Sequence, residues 1–598
     1  MTNGGKTPIF YDPKGRRWTI FRIITGSSGV LAAVIASCFF LSILETPSLP
    51  ELRISHETKL RPAAILAGPL STGAVLDLKQ RRTSQSGNAQ SVDRYAFFNH
   101  WDENSFASLR EHAGDIDVLV PEWLHLAGAA GEITHDDSRR ENHVRLWLKK
   151  SAPNLKVLPL INNYDPTRRL WDGASVGALL ASAEAKATLT RNLLGYAQEG
   201  GFAGITIDFK SLPDEATGPY LHFIKELKSA FSAEGLEVYV VLPAYETRFE
   251  TVELAAVTDR IILLAYDEHW EGGAAGPLAA QAWFEKQLEE RFKLVAGSKI
   301  VVAIGSYAVD WQEGGRAKRL PVSAAWDLAA DAGIEVRFHS TALNPTFAYH
   351  DETGARHVVW MLDGTTMFNQ IDAAFVMSPA GIALARLGTE DPSVWQVFAR
   401  GKKPDANTAK LLENVEPSRS VVYKGEGEVL KATDRVSAGR RIISYDDRYN
   451  LITDQRMAEL PRSLTITRLG HTDEKLIALT FDDGPSREFT PQILRILREK
   501  DVKATFFVVG ANAALEPGIL RAIYADGHDI GNHTFTHPNL SEIPAAQLDL
   551  ELNATQRVLE SKLGVRTTLF RPPFVKDIEP ETRDQARTLV SSAAMGYI

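Results

Sequence analysis

The chain is poor in cysteine, with Cys38 as the one such residue among 598. One cysteine cannot form an intrachain disulfide, so a disulfide-stapled scaffold is excluded, although an extracytoplasmic protein need not contain disulfides. The chain also lacks a basic stripe with interleaved aromatic residues, which argues against a nucleic-acid partner. Its net charge of -9 is mild, and 44% hydrophobic with 24% charged residues are globular values. Disordered and collagen-like classes are therefore excluded for most of the chain.

Length and one apolar segment suggest the general layout. A chain of 598 residues is too long for one core and predicts two to four folding units of roughly 150 residues each. Segment 23–44 carries no charge and, at ~1.5 Å per residue as a helix, is long enough for a ~30 Å hydrocarbon layer. The preceding segment, 1–22, is basic, through Lys6, Lys14, Arg16, Arg17 and Arg22. By the positive-inside rule, the sequence predicts a single-pass anchor in the cytoplasmic (inner) membrane, with a cytoplasmic tail and the bulk of the chain on the periplasmic side.

Two alternatives to the anchor stay open. A cleaved signal peptide has a shorter apolar region, and residues 25–29 dilute the first half of this one. Residues 35–38 resemble a lipoprotein cleavage box, but the sequence stays apolar after Cys38 as far as residue 44, which suits an anchor better. The proline-containing and polar stretch 45–92 then predicts a stalk linker.

From residue 93 to residue 400 the pattern is that of an α/β barrel. Segments 176–198 and 220–233 have apolar residues at helical spacing, and Arg316 to Asp372 form an insertion before the last strand. Eight short apolar runs predict strands, with functional residues expected where each strand ends, as in a TIM (β/α)8-like barrel. The runs are 94–99, 117–121, 156–161, 204–209, 237–242, 260–266, 299–305 and 381–387.

The fourth of these runs carries a motif. Residues 201–210 read GFAGITIDFK, and Ala265-Tyr266-Asp267 with Trp270, then the strings 359–363 and 387–392, follow in order. Together they resemble glycoside hydrolase family 18, the chitinase-like barrels, and in particular its spore-peptidoglycan branch. The resemblance implies Tyr266, Asp267 and Trp270 as glycan contacts and chitin binding as an activity.

Departures from that family bear on catalysis. The resemblance places a proton-donating glutamate where this chain has Lys210, and a lysine next to Asp208 is expected to form an ion pair instead. Ala203 and Thr206 replace aspartates, and Ala385 replaces an aromatic residue. We therefore predict that the barrel does not cleave glycans. Either it binds them, or its aromatic residues are ordinary packing; an active chitinase is the third hypothesis.

A β-rich connector is predicted for 401–470, with strands near 421–423 and 441–444. Beyond it, in 471–598, the apolar run 476–480 predicts a strand that ends at Asp482 and Asp483. Adjacent side chains of a regular strand point to opposite faces, so Gly484 and Pro485 are expected to form a turn that lets both carboxylates approach one centre. Segment 491–500 predicts a helix and 504–509 a second strand.

Two histidines complete the candidate site. His533 and His537 are four residues apart, which on a helical turn puts both imidazoles on one side, as zinc sites use that spacing. With one carboxylate they form a three-ligand site that leaves room for water and substrate. His528 precedes a strand and is expected to make a local hydrogen bond.

The order of TFDDGP at 480–485, HTFTH at 533–537 and RPPF at 571–574 resembles the NodB-type polysaccharide deacetylases, carbohydrate esterase family 4. That resemblance implies a partial, deformed (β/α) barrel in which Asp483, His533 and His537 bind a divalent metal, zinc in the first instance. It also implies Asp482 as the base, Arg571 as its partner and the Phe574 backbone N–H as oxyanion donor. The expected reaction is removal of N-acetyl groups from N-acetylglucosamine-containing polysaccharide or chitooligosaccharide.

Two later motifs of that family, which include a proton-donating histidine, are not found before residue 598. The resemblance therefore implies a C-terminally truncated deacetylase domain. The overall arrangement also resembles larger bacterial proteins that continue into a membrane glycosyltransferase of family 2, which makes such an enzyme a candidate partner. The alternative is a catalytically silent, membrane-tethered glycan-binding protein.

Overall fold

The computed structural model describes most of the chain from residue 91 onward. The described residues are 60–63, 91–135, 137–247, 251–433, 436–471, 475–540, 542–574 and 579–598. Within these ranges no helix combines the length and the apolar character needed to cross a membrane. The predicted anchor at 23–44 and most of the stalk lie outside the described residues, so both stay predictions.

The first folded unit is a closed parallel barrel, as predicted. Its first strand pairs with both the second strand and the last, which closes the sheet. Each of the eight predicted runs contains a strand, because these segments are apolar enough to be buried on both faces. The strands are Asp93–Phe98, Val118–Ala127, Leu160–Asn162, Gly204–Asp208, Glu237–Pro243, Arg260–Leu264, Ile300–Gly305 and Gly381–Ala385.

Helices cover the outside of the barrel. The predicted single helix 176–198 is instead two helices, because Ser182 takes an extended backbone conformation and its side chain caps the second helix at the Ala185 N–H. The predicted helix 220–233 is confirmed within Thr217–Ala233. The two helices separated at Ser182 are Gly173–Ala181 and Ala183–Gly200. Further helices of this layer are Glu103–His112, Ser138–Ser151, Thr251–Val257, Gln281–Phe292 and Gly364–Val376.

The insertion and the connector share one largely antiparallel sheet. The connector is β-rich, as predicted, and both of its predicted strands are present, within Val421–Gly425 and Gly439–Asp446. However, it is not a separate linker, because its hairpin of 439–459 extends the sheet of the insertion. The sheet begins before the predicted insertion, with strand Ala308–Gln312. The insertion contributes Lys318–Leu320, Arg337–Phe338, Pro345–His350, Arg356–Met361 and helix Val322–Asp331, and the connector contributes Asn414–Val415, Gly439–Asp446 and Leu451–Glu459. Strand Arg61–Pro62, from the predicted stalk, pairs antiparallel with strand Pro345–His350 of this sheet.

A buried arginine joins the connector to the barrel. Arg441 is 1% exposed and forms ion pairs with Asp391 and, at 3.5 Å, with Asp363. Its guanidinium also donates to the Ser393 hydroxyl at 2.7 Å and to the Leu412 carbonyl at 3.2 Å. Since both carboxylates are as buried as the arginine, each charge depends on the others for its solvation.

The C-terminal unit is a smaller parallel α/β layer. Its strands Thr480–Gly484, Thr505–Val508 and Asp529–Asn532 pair in that order, and its helices are Thr490–Lys500, Gly510–Leu515, Pro517–Ala525, Ala545–Leu563 and Arg587–Ala594. The predicted helix 491–500 and strand 504–509 are therefore confirmed. The prediction of a strand over 476–480 is wrong: the strand begins at Thr480, and Ile477 is 88% exposed. An apolar run forms a strand only where neighbours pair with it and cover it.

The C-terminal unit packs on the connector. Strands Val421–Gly425, Val429–Thr433 and Leu464–Leu469 form a three-stranded sheet, and Ala586 at the start of the last helix joins its buried cluster. The backbone N–H of Glu103, on the barrel, also donates to the Glu581 carboxylate at 3.1 Å. These contacts fix the C-terminal unit beside the barrel.

Replacing Arg441 with methionine is expected to lower the free energy of unfolding of the barrel by about 3 kcal/mol or more, because two buried carboxylates lose their counter-ion. Urea denaturation followed by tryptophan fluorescence measures the change. Arg440→Met is the matched control, since Arg440 lies next to it on the same strand with an exposed side chain. Equal stability of the two variants would contradict a role for the buried cluster.

Candidate functional site

The two adjacent aspartates are brought to one side by an irregular strand. The register between strands Thr480–Gly484 and Thr505–Val508 shifts between Phe481 and Gly484. Asp483 has φ +67°, a left-handed conformation that ordinary strand residues do not adopt. The predicted break in the alternation is therefore present, but it lies at Asp483 itself, before the glycine and proline.

The histidine pair lies on a loop, so the expectation of a helical turn is wrong. His533 follows strand Asp529–Asn532 directly, and 533–537 contain no helix. Thr534 and His537 have φ +66° and +60°, and each such conformation costs about 1 kcal/mol or more unless surrounding contacts compensate. The loop nevertheless brings the two imidazole rings together, with centroids 5.0 Å apart.

Asp483, His533 and His537 form a candidate metal centre. Oδ1 of Asp483 lies 3.3 Å from Nε2 of His533 and 3.0 Å from Nε2 of His537, and the three ligand atoms lie within 4.8 Å of one another. Nδ1 of His533 lies 2.6 Å from the Arg571 carbonyl, so it carries the proton and donates. Burial lowers the pKa of His533, which favours the neutral ring. This donor set fits a tetrahedral divalent ion such as zinc.

Asp482 lies beside this centre and is held by Arg571. Nη1 of Arg571 donates to both carboxylate oxygens of Asp482, at 2.9 and 3.2 Å, and to the Thr480 hydroxyl at 2.8 Å. Its guanidinium also lies over the Phe507 ring, 4.3 Å from the centroid. The carboxylate of Asp482 is therefore fixed in direction while part of it stays open to solvent.

Two further residues of the sequence motifs have clear positions. Phe574 is 67% exposed, and its ring centroid lies 4.7 Å from that of His537. His528 accepts a hydrogen bond from the N–H of Ala504, 24 residues earlier in the chain, at 3.2 Å. The expected hydrogen bond is therefore present but not local in sequence, and His528 does not belong to the candidate metal cluster. The structure thus brings together all six residues predicted for this site, while their catalytic roles stay predictions.

A second candidate site is a cavity of about 160 Å³ at the carboxyl ends of the barrel strands. Lys210 and Asp208 line it and form the predicted ion pair, at 3.1 Å. The ammonium group of Lys210 also lies 4.3 Å from the centroid of the Trp171 ring. Burial alone would lower the pKa of Lys210, but the charge and hydrogen bond of Asp208, together with the charges of Glu122 and Asp267, raise it. Lys210 is therefore a cation here and a poor proton donor.

Glu122 is a cavity residue that the sequence reasoning missed. It accepts hydrogen bonds from the side-chain amides of Asn99, at 3.1 Å, and Asn162, at 2.5 Å. Burial, with the nearby charge of Asp208, raises its pKa. Glu122 directly follows the predicted second strand, so the rule that functional groups lie at strand ends could have found it.

The three predicted glycan contacts differ in availability. Tyr266 lines the cavity, whereas Asp267 accepts a hydrogen bond from Tyr307 and forms an ion pair with Arg319 at 2.9 Å. Trp270 is 56% exposed. Because Asp267 is already paired, it is less free to bind a ligand than the two aromatic residues.

Further exposed aromatic residues follow other barrel strands. Trp101 lies beyond the end of the first strand and is 39% exposed, and Tyr245 follows the fifth and is 51% exposed. With Trp270 after the sixth strand, exposed aromatic rings occupy the same end of the barrel as the cavity. Sequence reasoning did not single out Trp101 or Tyr245, although strand-end placement was available as a signal.

The fold and the two sites define an α/β protein that consists of a closed parallel barrel and a smaller unit with a metal-ligand cluster. Residues 93–377 match the family model of glycosyl hydrolases family 18, and residues 469–593 match that of polysaccharide deacetylase. The chain is therefore similar to glycosyl hydrolases family 18 over its barrel and to polysaccharide deacetylases over its C-terminal unit.

The C-terminal unit has relatives of higher identity. Over 107 residues the chain is 42% identical to a peptidoglycan-N-acetylglucosamine deacetylase of Bacillus cereus, over 18% of this chain and 39% of that protein. It is 43% identical over 110 residues to a chitooligosaccharide deacetylase of Sinorhizobium fredii, over 18% of this chain and 48% of that protein. The chain thus spans less than half the length of either deacetylase.

The barrel has more distant relatives. The uncharacterized glycosylase YvbX of Bacillus subtilis is 24% identical over 260 residues, which are 42% of this chain and 76% of that protein. Among solved structures, a chitinase from Chromobacterium violaceum is 23% identical with a TM-score of 0.49, over 52% of this chain and 99% of that one.

Proposed function

We propose that the C-terminal domain hydrolyses N-acetyl groups of N-acetylglucosamine-containing glycans with the help of a divalent metal, zinc in the first instance. The observation that carries this proposal is the cluster of Asp483, His533 and His537 next to the Asp482–Arg571 pair. Three ligands and a separate, oriented carboxylate are what a metal-assisted hydrolase needs. The deacetylases named above support the choice of an acetamido group as substrate.

A metal bound at this centre would polarise the acetyl carbonyl and lower the pKa of a bound water toward about 7. Asp482 lies beside the ligands and would take the proton from the attacking water. Arg571 donates to that carboxylate and keeps it pointed at the centre. The Phe574 backbone N–H would stabilise the negative charge on the acetyl oxygen. When the C–N bond breaks, the proton that Asp482 took from the water would pass to the leaving nitrogen, giving acetate and a free amine.

Zinc titration of the purified full chain by calorimetry is expected to show one tight site. Asp483→Ala and His533→Ala should each remove this binding, because each deletes one of three ligands. His528→Asn is the matched control: it keeps an acceptor for the Ala504 N–H and lies outside the cluster, so zinc binding should persist. Zinc binding that survives the two ligand substitutions would refute the proposed centre.

Acetate release from N-acetylglucosamine oligomers is expected to depend on Asp482. Asp482→Asn should lower the rate at least about 100-fold, the usual contribution of a general base, while zinc affinity stays near that of the parent chain. Coupled enzymatic detection of acetate measures the rate. A parent rate no higher than that of the variant would instead favour the silent glycan-binding protein.

A second candidate function, glycan binding by the barrel, is favoured by exposed aromatic residues that follow barrel strands, at the end of the barrel that holds the cavity. Trp101, Tyr245 and Trp270 offer apolar faces on which sugar rings can stack. The Lys210–Asp208 pair places a cation where the related hydrolases are expected to carry a proton donor. We propose that the barrel holds the glycan without cleaving it.

Trp270→Ala is expected to weaken retention of the chain on immobilised N-acetylglucosamine polymer by about 5-fold or more, because an exposed aromatic anchor is lost. Tyr524→Ala removes an aromatic residue of similar exposure, 48%, from the C-terminal unit and should leave retention unchanged. Mass spectrometry should show no shortened oligomers after incubation. Shortening that disappears in Asp208→Asn would show an active chitinase and overturn the binding-only proposal.

A further inference from the structure

The loop between the two histidine ligands depends on one carboxylate from a neighbouring helix. Glu551, on helix Ala545–Leu563, accepts hydrogen bonds from the backbone N–H groups of Phe535 and Thr536 at 2.8 and 2.7 Å. Its second oxygen accepts the Thr536 hydroxyl at 2.6 Å. One side chain therefore binds both residues that lie immediately before His537.

Burial makes these hydrogen bonds costly to lose. Glu551 is 7% exposed, and a polar group that loses its partner away from water keeps its desolvation penalty. The loop needs such support, since Thr534 and His537 both have left-handed backbone conformations. Without Glu551, two backbone N–H groups of the loop would lose their acceptor, and a regular loop conformation would become competitive.

A short helix holds the same loop from the other side and also contacts the aspartate ligand. The N–H groups of Gly510 and Ala511 donate to the carbonyls of Thr534 and Phe535 at 2.9 and 3.0 Å. The side-chain amide of Asn512 donates to the Asp483 carbonyl at 2.8 Å. Helix Gly510–Leu515 therefore ties the loop that carries the histidines to the strand end that carries Asp483.

The two supporting helices are closely packed. A Cβ built on Gly510 would lie 2.4 Å from the Thr555 hydroxyl and 2.5 Å from the Phe535 ring, so only glycine allows this approach. Thr555 is on the same helix as Glu551, one turn further along. Helices Gly510–Leu515 and Ala545–Leu563 thus form one packed unit. This unit makes the hydrogen bonds both to the histidine loop and to the strand end that carries Asp483.

We propose that Glu551 is a positioning residue of the metal site: by holding the Phe535–Thr536 backbone it sets the position of His537 relative to His533 and Asp483. This inference rests on the proposed metal-dependent function and deepens it. Glu551 touches neither ligand ring nor substrate in this role. It acts through backbone geometry, so its negative charge is not itself required.

Zinc affinity of the full chain, measured by calorimetric titration, tests the proposal with two substitutions. Glu551→Leu keeps the helix but provides no acceptor, and it is expected to weaken zinc binding about 10-fold or more, as loss of outer supporting contacts does. Glu551→Gln is expected to stay within about 3-fold of the parent. Its amide oxygen can accept both N–H groups, and its NH₂ can donate to the Thr536 hydroxyl.

Glu560→Leu is the matched control on the same helix, because Glu560 pairs with Arg557 and Arg566 and contacts neither ligand loop. It should bind zinc like the parent. Rescue by glutamine but not by leucine supports positioning, since a role for the charge would make both variants weak. If circular dichroism shows that Glu551→Leu is unfolded, Glu551→Asp replaces it, which keeps the charge but is one methylene too short to reach the loop.

The possible failures are distinguishable. A parent chain that binds no zinc overturns the proposed metal site. A parent that binds zinc, together with a folded Glu551→Leu or Glu551→Asp variant of unchanged affinity, overturns the positioning role alone. Equal weakening by the glutamine and leucine variants also overturns it, because the carboxylate charge would then be the required property.

Discussion

The buried guanidinium of Arg441 is the interaction on which the arrangement of the connector against the barrel depends. An arginine without access to water is tolerable only if every charge around it is paired and hydrogen-bonded. Asp391 and Asp363 meet this condition while they also cap helices: Asp391 accepts the Ser393 N–H, and Asp363 accepts the N–H groups at the start of helix Gly364–Val376. The connector strand that carries Arg441 is thus fixed to the start of helix Gly364–Val376 and to the segment that follows the last barrel strand.

This fixed connector has a consequence for the deacetylase domain. The three-stranded connector sheet receives Ala586 and the helix that follows it, so the two domains share a structured element instead of a free linker. The metal cluster shows the same principle at a smaller scale. Two of its three candidate ligands, Asp483 and His537, have a left-handed backbone conformation that is unfavourable in isolation. Hydrogen bonds from two helices hold this backbone in place.

The extent to which sequence could predict these features follows from how local each one is. The eight barrel strands were predictable because each is a short apolar run buried on both faces. Two other features were not predictable. The helix break at Ser182 depends on a side-chain cap, and the exposure of the apolar run before Thr480 depends on whether other strands pair with it. The spacing of His533 and His537 indicated correctly that the two rings lie close together. It indicated a helical turn where the structure has a loop, because an irregular loop can also bring the two rings together.

Long-range features lay beyond sequence reasoning for a different reason. Arg441 is 50 residues from Asp391, and Glu551 is 16 residues from Phe535; no periodicity links them. A buried charge is visible in sequence only as one more arginine or glutamate, and its partners appear only when the chain is folded. The residues that support a site are therefore harder to predict than the residues that perform its chemistry.

The two candidate sites use a carboxylate next to a cation in opposite ways. In the barrel, the ammonium of Lys210 lies within the cavity, close to Asp208 and the Trp171 ring, at the position where the resemblance to family 18 places a proton donor. In the C-terminal unit, Arg571 contacts Asp482 while leaving part of its carboxylate open beside the candidate metal ligands. This difference agrees with the proposed functions of the two units. A barrel that cut its glycan would shorten the polymer, whereas a barrel that only holds the glycan leaves its acetamido groups available to the neighbouring domain.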